Sequence, residues 1–328
     1  MTLLRDLQSR AANRPAHIVL SEGHDPRVVA GAVAAVEKGI ARITLVGDTQ
    51  TVKGLVAAEG GAGIEIQDPA ISPLTSGLAA KLVELRGHKG MTPEKASIQV
   101  QEPLVFAALM VRAGHADGTV GGAVHTTSDT VRAALQIIGK SPDAALVSSF
   151  FLMGLPEGHS SGRSAMIFSD CGLVIDPNAT ELAAIAAQSA QSFEQLVQTT
   201  PKVALLSFST MGSASHPAVS KVTDAAKILR NAHPEIASDG ELQFDAAFVP
   251  SVGAAKAPES NVAGHANVMI FPNLDAGNIG YKIAQRIGGA TALGPVLQGL
   301  NQPANDLSRG CTAEDVFGMI AVTVLQVK

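Results

Sequence analysis

Residues 299–315 read Gly-Leu-Asn-Gln-Pro-Ala-Asn-Asp-Leu-Ser-Arg-Gly-Cys-Thr-Ala-Glu-Asp. Three of these side chains make a chemical set: the hydroxyl of Ser308, the guanidinium of Arg309 and the carboxylate of Asp315. A guanidinium grips an anion, a hydroxyl donates to a developing oxyanion, and a carboxylate takes a proton. The spacing puts all three on one short loop and the first turn of a following helix. Ordinary structural uses fit the same residues. Thr312-x-x-Asp315 is also a capping box, with Thr312 at N-cap and Asp315 at N3, and Ser308 and Arg309 suit a turn. Spacing alone leaves both readings open.

The elements around this segment must position it. An apolar run at 291–298 precedes it, and a strongly apolar terminal helix over 316–327 follows it. From the N-terminus, an amphipathic helix is expected over 3–12 and a strand over 17–22, after which Asp25-Pro26 opens a helix over 28–38 with an N-cap carboxylate and proline at N1. Strands over 41–46, 64–66, 118–123 and 144–153 alternate with helices over 52–58, 78–85, 103–113 and about 128–138. The second half continues with strands over 165–168, 203–208, 243–249 and 268–271, and helices over 181–197, 218–231 and 276–287. Such alternation marks an α/β fold: mainly parallel sheets with helices on both faces. No repeat of fixed period and no low-complexity linker interrupts it. The domain break is expected near the Gly154-Leu-Pro-Glu-Gly-His-Ser-Ser-Gly162 insertion, giving a first domain over 1–150 and a second over 151–299.

Composition narrows the class. A chain of 328 residues with 46% hydrophobic and 16% charged residues can bury a large core and has room for two domains. It has no Trp and one Tyr, and a net charge of −5, which argue against base stacking and a general polyanion surface, so no nucleic-acid partner is expected. Any polyanionic ligand must then be held by local arginines. Two cysteines are too few for a disulfide framework and fit a reducing cytosol. The charged, amphipathic N-terminus does not resemble a signal peptide, and no run approaches the roughly 18 apolar residues of a membrane span. The expectation is a soluble, cytoplasmic protein without a membrane partner.

Several further residues could bind anions. Arg86 ends a helix within Arg-Gly-His-Lys-Gly, where it also complements the helix dipole. Thr126, Thr127 and Ser128 lie at the start of the next helix, whose free N–H groups and hydroxyls suit a phosphate. Arg132 sits one turn in, able either to face that phosphate or to pair with Asp129. Arg286 lies near the end of the 276–287 helix, where a solvated role also fits. Cys171 ends an apolar strand, where α/β sheets place ligand-contacting residues. An acyl-cysteine nucleophile and a small buried hydrophobe both fit it.

Other motifs fail on context. Gly158-His-Ser-Ser-Gly162 matches the hydrolase elbow pattern but lacks the strand before it and the helix after it, so it reads as a hairpin loop. Gly139-Lys140-Ser141 follows a helix, and Ala134 replaces the first glycine of a phosphate loop, so it reads as a helix stop. There is no Gly-x-Gly-x-x-Gly, His-Glu-x-x-His or Cys-x-x-Cys, which removes the usual support for a nicotinamide or zinc site.

The block Asn305-Asp-Leu-Ser-Arg-Gly-Cys, behind Leu274-Asp-Ala-Gly-Asn-Ile-Gly-Tyr-Lys, resembles the C-terminal signature of phosphate acetyltransferases (phosphotransacetylases). The likeness continues through Asp239-Gly-Glu-Leu-Gln-Phe-Asp-Ala-Ala, Ala263-Gly-His-Ala-Asn-Val-Met-Ile-Phe-Pro, Gly122-Ala-Val-His-Thr-Thr and Arg86-Gly-His-Lys-Gly-Met-Thr. It spans essentially the whole chain, as in the short, single-module form of the family. The resemblance implies two doubly wound domains of isocitrate/isopropylmalate dehydrogenase-like architecture with an interdomain cleft, and return of residues 300–328 to the first domain. It implies acetyl transfer between CoA and phosphate, CoA being a substrate with no permanently bound cofactor and no metal. Ser308, Arg309 and Asp315 become the catalytic group, and Arg86 and Arg132 recognise CoA and phosphate. Thr126, Thr127, Ser128 and Arg286 join them as substrate-binding candidates, and Cys171 lies beside the site without an essential nucleophilic role. Family likeness and the apolar terminal helix together point to a homodimer. Ser209-Thr-Met-Gly-Ser departs from the family text, which has Lys where Met211 stands. A phosphate butyryltransferase, or a non-catalytic acetyl-CoA-sensing domain of the same fold, are the alternatives; free-standing length and the intact triad argue against the second.

For such a reaction the thiolate is the nucleophile. A free thiol ionises near 8.5 and an aspartate near 3.9, so full proton transfer between them is uphill by roughly 6 kcal/mol. Transfer concerted with attack, with Asp315 as base, avoids that barrier.

Overall fold

A computed structural model describes residues 3–328. The chain divides into two compact units, Leu3–Pro142 with Leu300–Lys328, and Asp143–Gly299.

The first unit is built on five parallel strands in the order β11-β4-β1-β2-β3. These are β1 (His17–Leu20), β2 (Arg42–Val46), β3 (Glu65–Gln67), β4 (Gly118–Gly121) and β11 (Ala304–Asp306). Helices cover both faces, and two glycines of β4 show how closely. A Cβ at Gly118 would meet Thr323 of the terminal helix Ala313–Gln326 at 2.7 Å. Three residues on, hence on the opposite face, a Cβ at Gly121 would meet Leu104 of helix Pro103–Arg112 at 2.8 Å. The terminal helix buries Val316 and every residue from Met319 to Leu325. It lies so close to helix Pro26–Glu37 that a Cβ at Gly31 would fall 2.7 Å from Val316. Its apolar surface is therefore core of this unit. The expectation that this helix supplies a dimer face is corrected: no apolar side of it is left over.

The second unit carries a six-stranded sheet in the order β10-β5-β6-β9-β7-β8. Its strands are β5 (Ser148–Gly154), β6 (Ala165–Ser169), β7 (Lys202–Leu206), β8 (Ala237–Leu242), β9 (Val268–Ile270) and β10 (Thr291–Gln298). β5 runs antiparallel to both β10 and β6, and the remaining pairs are parallel. The expected break between residues 150 and 151 falls inside β5, which pairs along its length with two neighbours, so the division comes earlier, at Pro142. The Gly154–Gly162 segment is the β5–β6 hairpin connection rather than a linker.

Residues 243–249 are not a strand. Phe244–Phe248 is a helix, and the strand lies just before it, in Ala-Ser-Asp-Gly-Glu-Leu. That strand is polar in text because its carboxylates find partners: Glu241 accepts from Ser209, Thr223 and the Gly212 N–H. Helices Pro93–Gln99 and Pro250–Lys256, and the three-residue strand β11, were not expected either. Among the described residues no helix is long and apolar enough to cross a membrane.

Candidate active site

In the first unit the chain fills the sheet outward from β1 to β2 and β3, then returns to place β4 on the other side of β1. The order reverses between β1 and β4. At such a point, outside the carboxyl ends of parallel strands, α/β sheets bind ligands. The segments leaving these ends are Ser21–Asp25 after β1, Gly122–Thr126 after β4 and Leu307–Thr312 after β11.

Ser308 and Arg309 are exposed on the last of these segments. The Ser308 hydroxyl accepts from the Gly310 N–H at 3.3 Å, which leaves its own proton free to donate. The Arg309 guanidinium has no protein partner among the described residues, although its carbonyl is held. Asp315 begins the terminal helix in a reciprocal capping box. Its Oδ2 accepts from the Thr312 N–H at 2.8 Å and the Thr312 hydroxyl at 2.9 Å, while its own N–H donates to Thr312 Oγ1 at 3.2 Å. Both bonds fall on one oxygen. Oδ1 has no protein partner among the described residues, so capping does not occupy the whole carboxylate.

Two residues that sequence reasoning passed over hold this edge together. Arg27, at the start of helix Pro26–Glu37, donates to the carbonyls of Arg309 at 2.8 Å, Cys311 at 3.1 Å and Ala123 at 2.9 Å. It also grips both oxygens of Asp25, whose carboxyl it holds below the usual carboxylate range. Glu22 is fully buried and gathers the N–H groups of Ala123, Val124 and His125 at 2.7–3.0 Å, with the His125 ring at 2.7 Å. Arg27 thus ties three loops from three strand ends, and Glu22 shapes the second. The text gave one signal: both flank the Asp25-Pro26 helix start. Cys311, whose thiol is pushed up chiefly by burial, packs beneath the loop.

The expected anion-binding residues divide between the units. Thr126 caps helix Thr127–Ala133 by accepting the Asp129 N–H, and Thr127 and Ser128 are exposed in its first turn. Arg132 donates to Asp129 at 2.7 Å with 59% of its side chain exposed. Such a pair is weak, so Arg132 can exchange Asp129 for a ligand phosphate. This helix then runs into a π turn, Ala134–Ile138, ended by Gly139. Arg86 closes helix Thr75–Arg86, half-buried, with no side-chain partner among the described residues.

Cys171 and Arg286 belong to the second unit. Cys171 is fully buried, and burial, with the Asp170 carboxylate adding to it, pushes its thiol well up. That disfavours the thiolate and with it the acyl-cysteine route. Asp170 itself accepts from the N–H groups of Ser149, Gly172, Leu173 and Val174 and from the Ser149 hydroxyl, fixing the turn after β6. Arg286 ends helix Leu274–Arg286, exposed, near Tyr281, which stacks on Phe151 with ring centroids 3.8 Å apart. Met211 is left-handed (φ 46°) and 45% exposed, its N–H donating to the Glu241 carbonyl.

The strand ends at the switch point carry exposed hydroxyls and guanidinium groups, with a Ser-Arg loop leading into a capped aspartate, groups of the kind acyl and phosphoryl transfer needs. Residues 2–324 match the model of the family described as Phosphate acetyl/butaryl transferase. The chain is 51% identical over 312 residues to the phosphate acetyltransferase of Paracoccus denitrificans, covering 95% of both. Among solved structures it is similar to a phosphotransacetylase from Streptococcus pyogenes (TM-score 0.92, 43% identity, 99% of this chain and 98% of that one). The EutD phosphotransacetylase from Staphylococcus aureus is comparable (TM-score 0.90, 42% identity, the same coverage). The chain belongs to the phosphate acetyl/butaryl transferase family.

Proposed function

We propose that the protein catalyses reversible acetyl transfer between CoA and phosphate, acetyl-CoA plus phosphate giving acetyl phosphate plus CoA. One observation carries the assignment of roles. The Ser308 and Arg309 side chains are exposed while Arg27 holds the loop through the carbonyls of Arg309 and Cys311, a few residues before an aspartate with one oxygen in hand. Pinning fixes the donors before substrate arrives, which is how electrostatic stabilisation of an oxyanion becomes large.

In the direction of acetyl-CoA, the CoA sulfur attacks the carbonyl carbon of acetyl phosphate. As the C–S bond forms, the thiol proton passes to Oδ1 of Asp315, and Oδ2 stays on Thr312. The carbonyl oxygen becomes an oxyanion, to which Ser308 donates. Collapse breaks the C–O bond to phosphate, Arg309 meets the charge on the departing group, and the proton held on Asp315 passes to the leaving phosphate, which restores the carboxylate. A bidentate guanidinium matches phosphate oxygens better than an ammonium. Arg86, Arg132, Arg286 and the Thr126–Ser128 turn serve CoA and phosphate as binding groups. The enzyme acts in the cytoplasm as a homodimer, with small molecules as its other partners.

The test is direct. Purified protein is given CoA with acetyl phosphate or butyryl phosphate, and thioester formation is followed by absorbance. Faster turnover of acetyl phosphate supports the reading. Preference for butyryl phosphate would correct the acyl group, and no thioester from either would overturn the reaction.

A further inference from the structure

Asp306 is the last residue of β11, two positions before Ser308, and nothing in the reaction just described uses it. It is 0% exposed, and neither carboxyl oxygen has a hydrogen-bond partner. Buried carboxyls without partners are costly and rare. Its neighbour Asn305 shows the ordinary solution, donating to Thr323 at 2.9 Å and Gln326 at 2.6 Å.

Its surroundings explain where it could act. Asp306 Oδ1 lies against the Cα of Gly122, where no side chain could fit and where φ is +99°. The Leu307 N–H donates to the Gly121 carbonyl at 2.7 Å, so β11 and the turn after β4 are locked at this level. Thr127 and Thr130, from the first turns of helix Thr127–Ala133, bring hydroxyls toward it. Both favour its ionised form, yet neither is hydrogen-bonded to it; Thr130 donates weakly to the Thr126 carbonyl at 3.4 Å instead. Asp306 therefore stands between the strand end that carries Ser308 and Arg309 and the helix start that carries Thr126, Thr127, Ser128 and Arg132.

We propose that Asp306 is a positioning residue for acetyl transfer, its buried carboxyl acting as the spacer that sets the Ser308-Arg309 loop against the start of helix Thr127–Ala133. The inference rests on the acetyl-transfer reading above. Burial pushes this carboxyl up to about 7, with Glu22 adding to the rise. Glu22 is the charged group that faces it; Asp129 and Arg132, on the outer side of the helix, pair with each other. Loss of the proton leaves a buried anion that draws the Thr127 and Thr130 hydroxyls onto itself, and the first turn of the helix moves with them. The phosphate-holding donors then leave register with Ser308 and Arg309. The working form is the protonated one.

The experiment compares wild type with Asp306→Asn and Asp306→Ala, measuring kcat and KM for acetyl phosphate and CoA from pH 6 to pH 8. Asparagine keeps the shape and a donor but cannot ionise. The ratio of kcat values, asparagine variant over wild type, cancels the titration of CoA, phosphate and Asp315. It rises about tenfold over that range, the factor for a group titrating near 7. Alanine lowers kcat at every pH, about tenfold or more, with KM values within threefold of wild type. A flat ratio, or an alanine variant with normal kcat, overturns the proposal and leaves Asp306 a packing residue. Difference infrared titration of the wild type needs neither activity nor the variants. A buried carboxyl band lost near neutrality supports the proposal, and its absence refutes it. Absence of all acetyltransferase activity with that band present would instead sink the acetyl-transfer reading.

Discussion

Among single residues, the structure separates side chains left free on the surface from side chains that hold the backbone. Ser308 and Arg309 present free donors, so their losses differ in kind. Ser308→Ala removes an oxyanion donor and lowers kcat by about 10²–10³ with KM nearly unchanged. Steady-state kinetics in which only KM moves would make the hydroxyl a binding group. Arg309→Lys keeps the charge and loses the fork, so turnover collapses with little rescue; near-normal kcat would refute a bidentate role. Arg132→Ala, by contrast, removes a charge-assisted bond to phosphate worth roughly 1.5–3 kcal/mol, and the CoA KM rises tenfold or more while kcat changes less. The residues proposed as the chemical group could be picked out in the sequence because they are close in the chain and of reactive type, and the structure leaves Ser308 and Arg309 exposed and Asp315 partly so. Glu22, Arg27 and Asp306 were not, because their roles depend on burial and on partners about a hundred or more residues away. Asp306 sits inside the very block that carries the resemblance, yet a polar letter in a polar loop gives no sign that it is buried.

For the elements, the alternation of strands and helices was readable wherever apolar runs were long and capped, as in helix Pro26–Glu37 behind Asp25. It failed where a strand's polar residues find tertiary partners. β8 was not among the expected strands, and the apolar letters of Phe244–Phe248, spaced three and four apart, suggested a strand where a helix forms. β11 was missed for the same reason, since Asn305 and Asp306 lie in its core. The capping box at Thr312 was legible, and the structure adds that it shares Asp315 with the proposed chemistry. Thr312→Ala removes the cap acceptor and the hydroxyl donor to Oδ2 together. The cap loss costs about 1 kcal/mol of stability, and the freed carboxylate no longer holds one rotamer, so kcat falls about tenfold. Thermal unfolding and steady-state kinetics measure the two effects separately; a stability loss without a kcat loss would detach the cap from catalysis.

At the scale of the whole molecule, stability and association follow from groups the sequence did not mark. Asp306 carries a folded-state ionisation near 7 against 3.8 for an ordinary aspartate. Between those values the folded state holds more protons than the unfolded chain, so this residue's contribution declines as pH rises. By pH 8 the penalty approaches about 4 kcal/mol. Denaturant unfolding of Asp306→Asn and wild type should therefore agree best near pH 4 and diverge toward pH 8, the variant being the more stable; equal curves would mean that the carboxyl ionises normally. Association is a second case, because the terminal helix expected to pair subunits is buried within the first unit. Exposed apolar side chains are scattered over both units, and three of them, Ile279, Ile283 and Ile287 (58%, 53% and 84% exposed), lie on helix Leu274–Arg286 and its end. Spaced four apart, they fall along one side of the helix, and a contiguous apolar stripe of this kind marks an interaction surface. The expected dimer would be two-fold, with this stripe on both subunits. Ile283→Asp puts a charge at the middle of that stripe. Light scattering at micromolar concentration should give a dimer for the wild type and a monomer for the variant. A monomeric wild type would remove the homodimer, and a variant that stays dimeric would place the interface elsewhere.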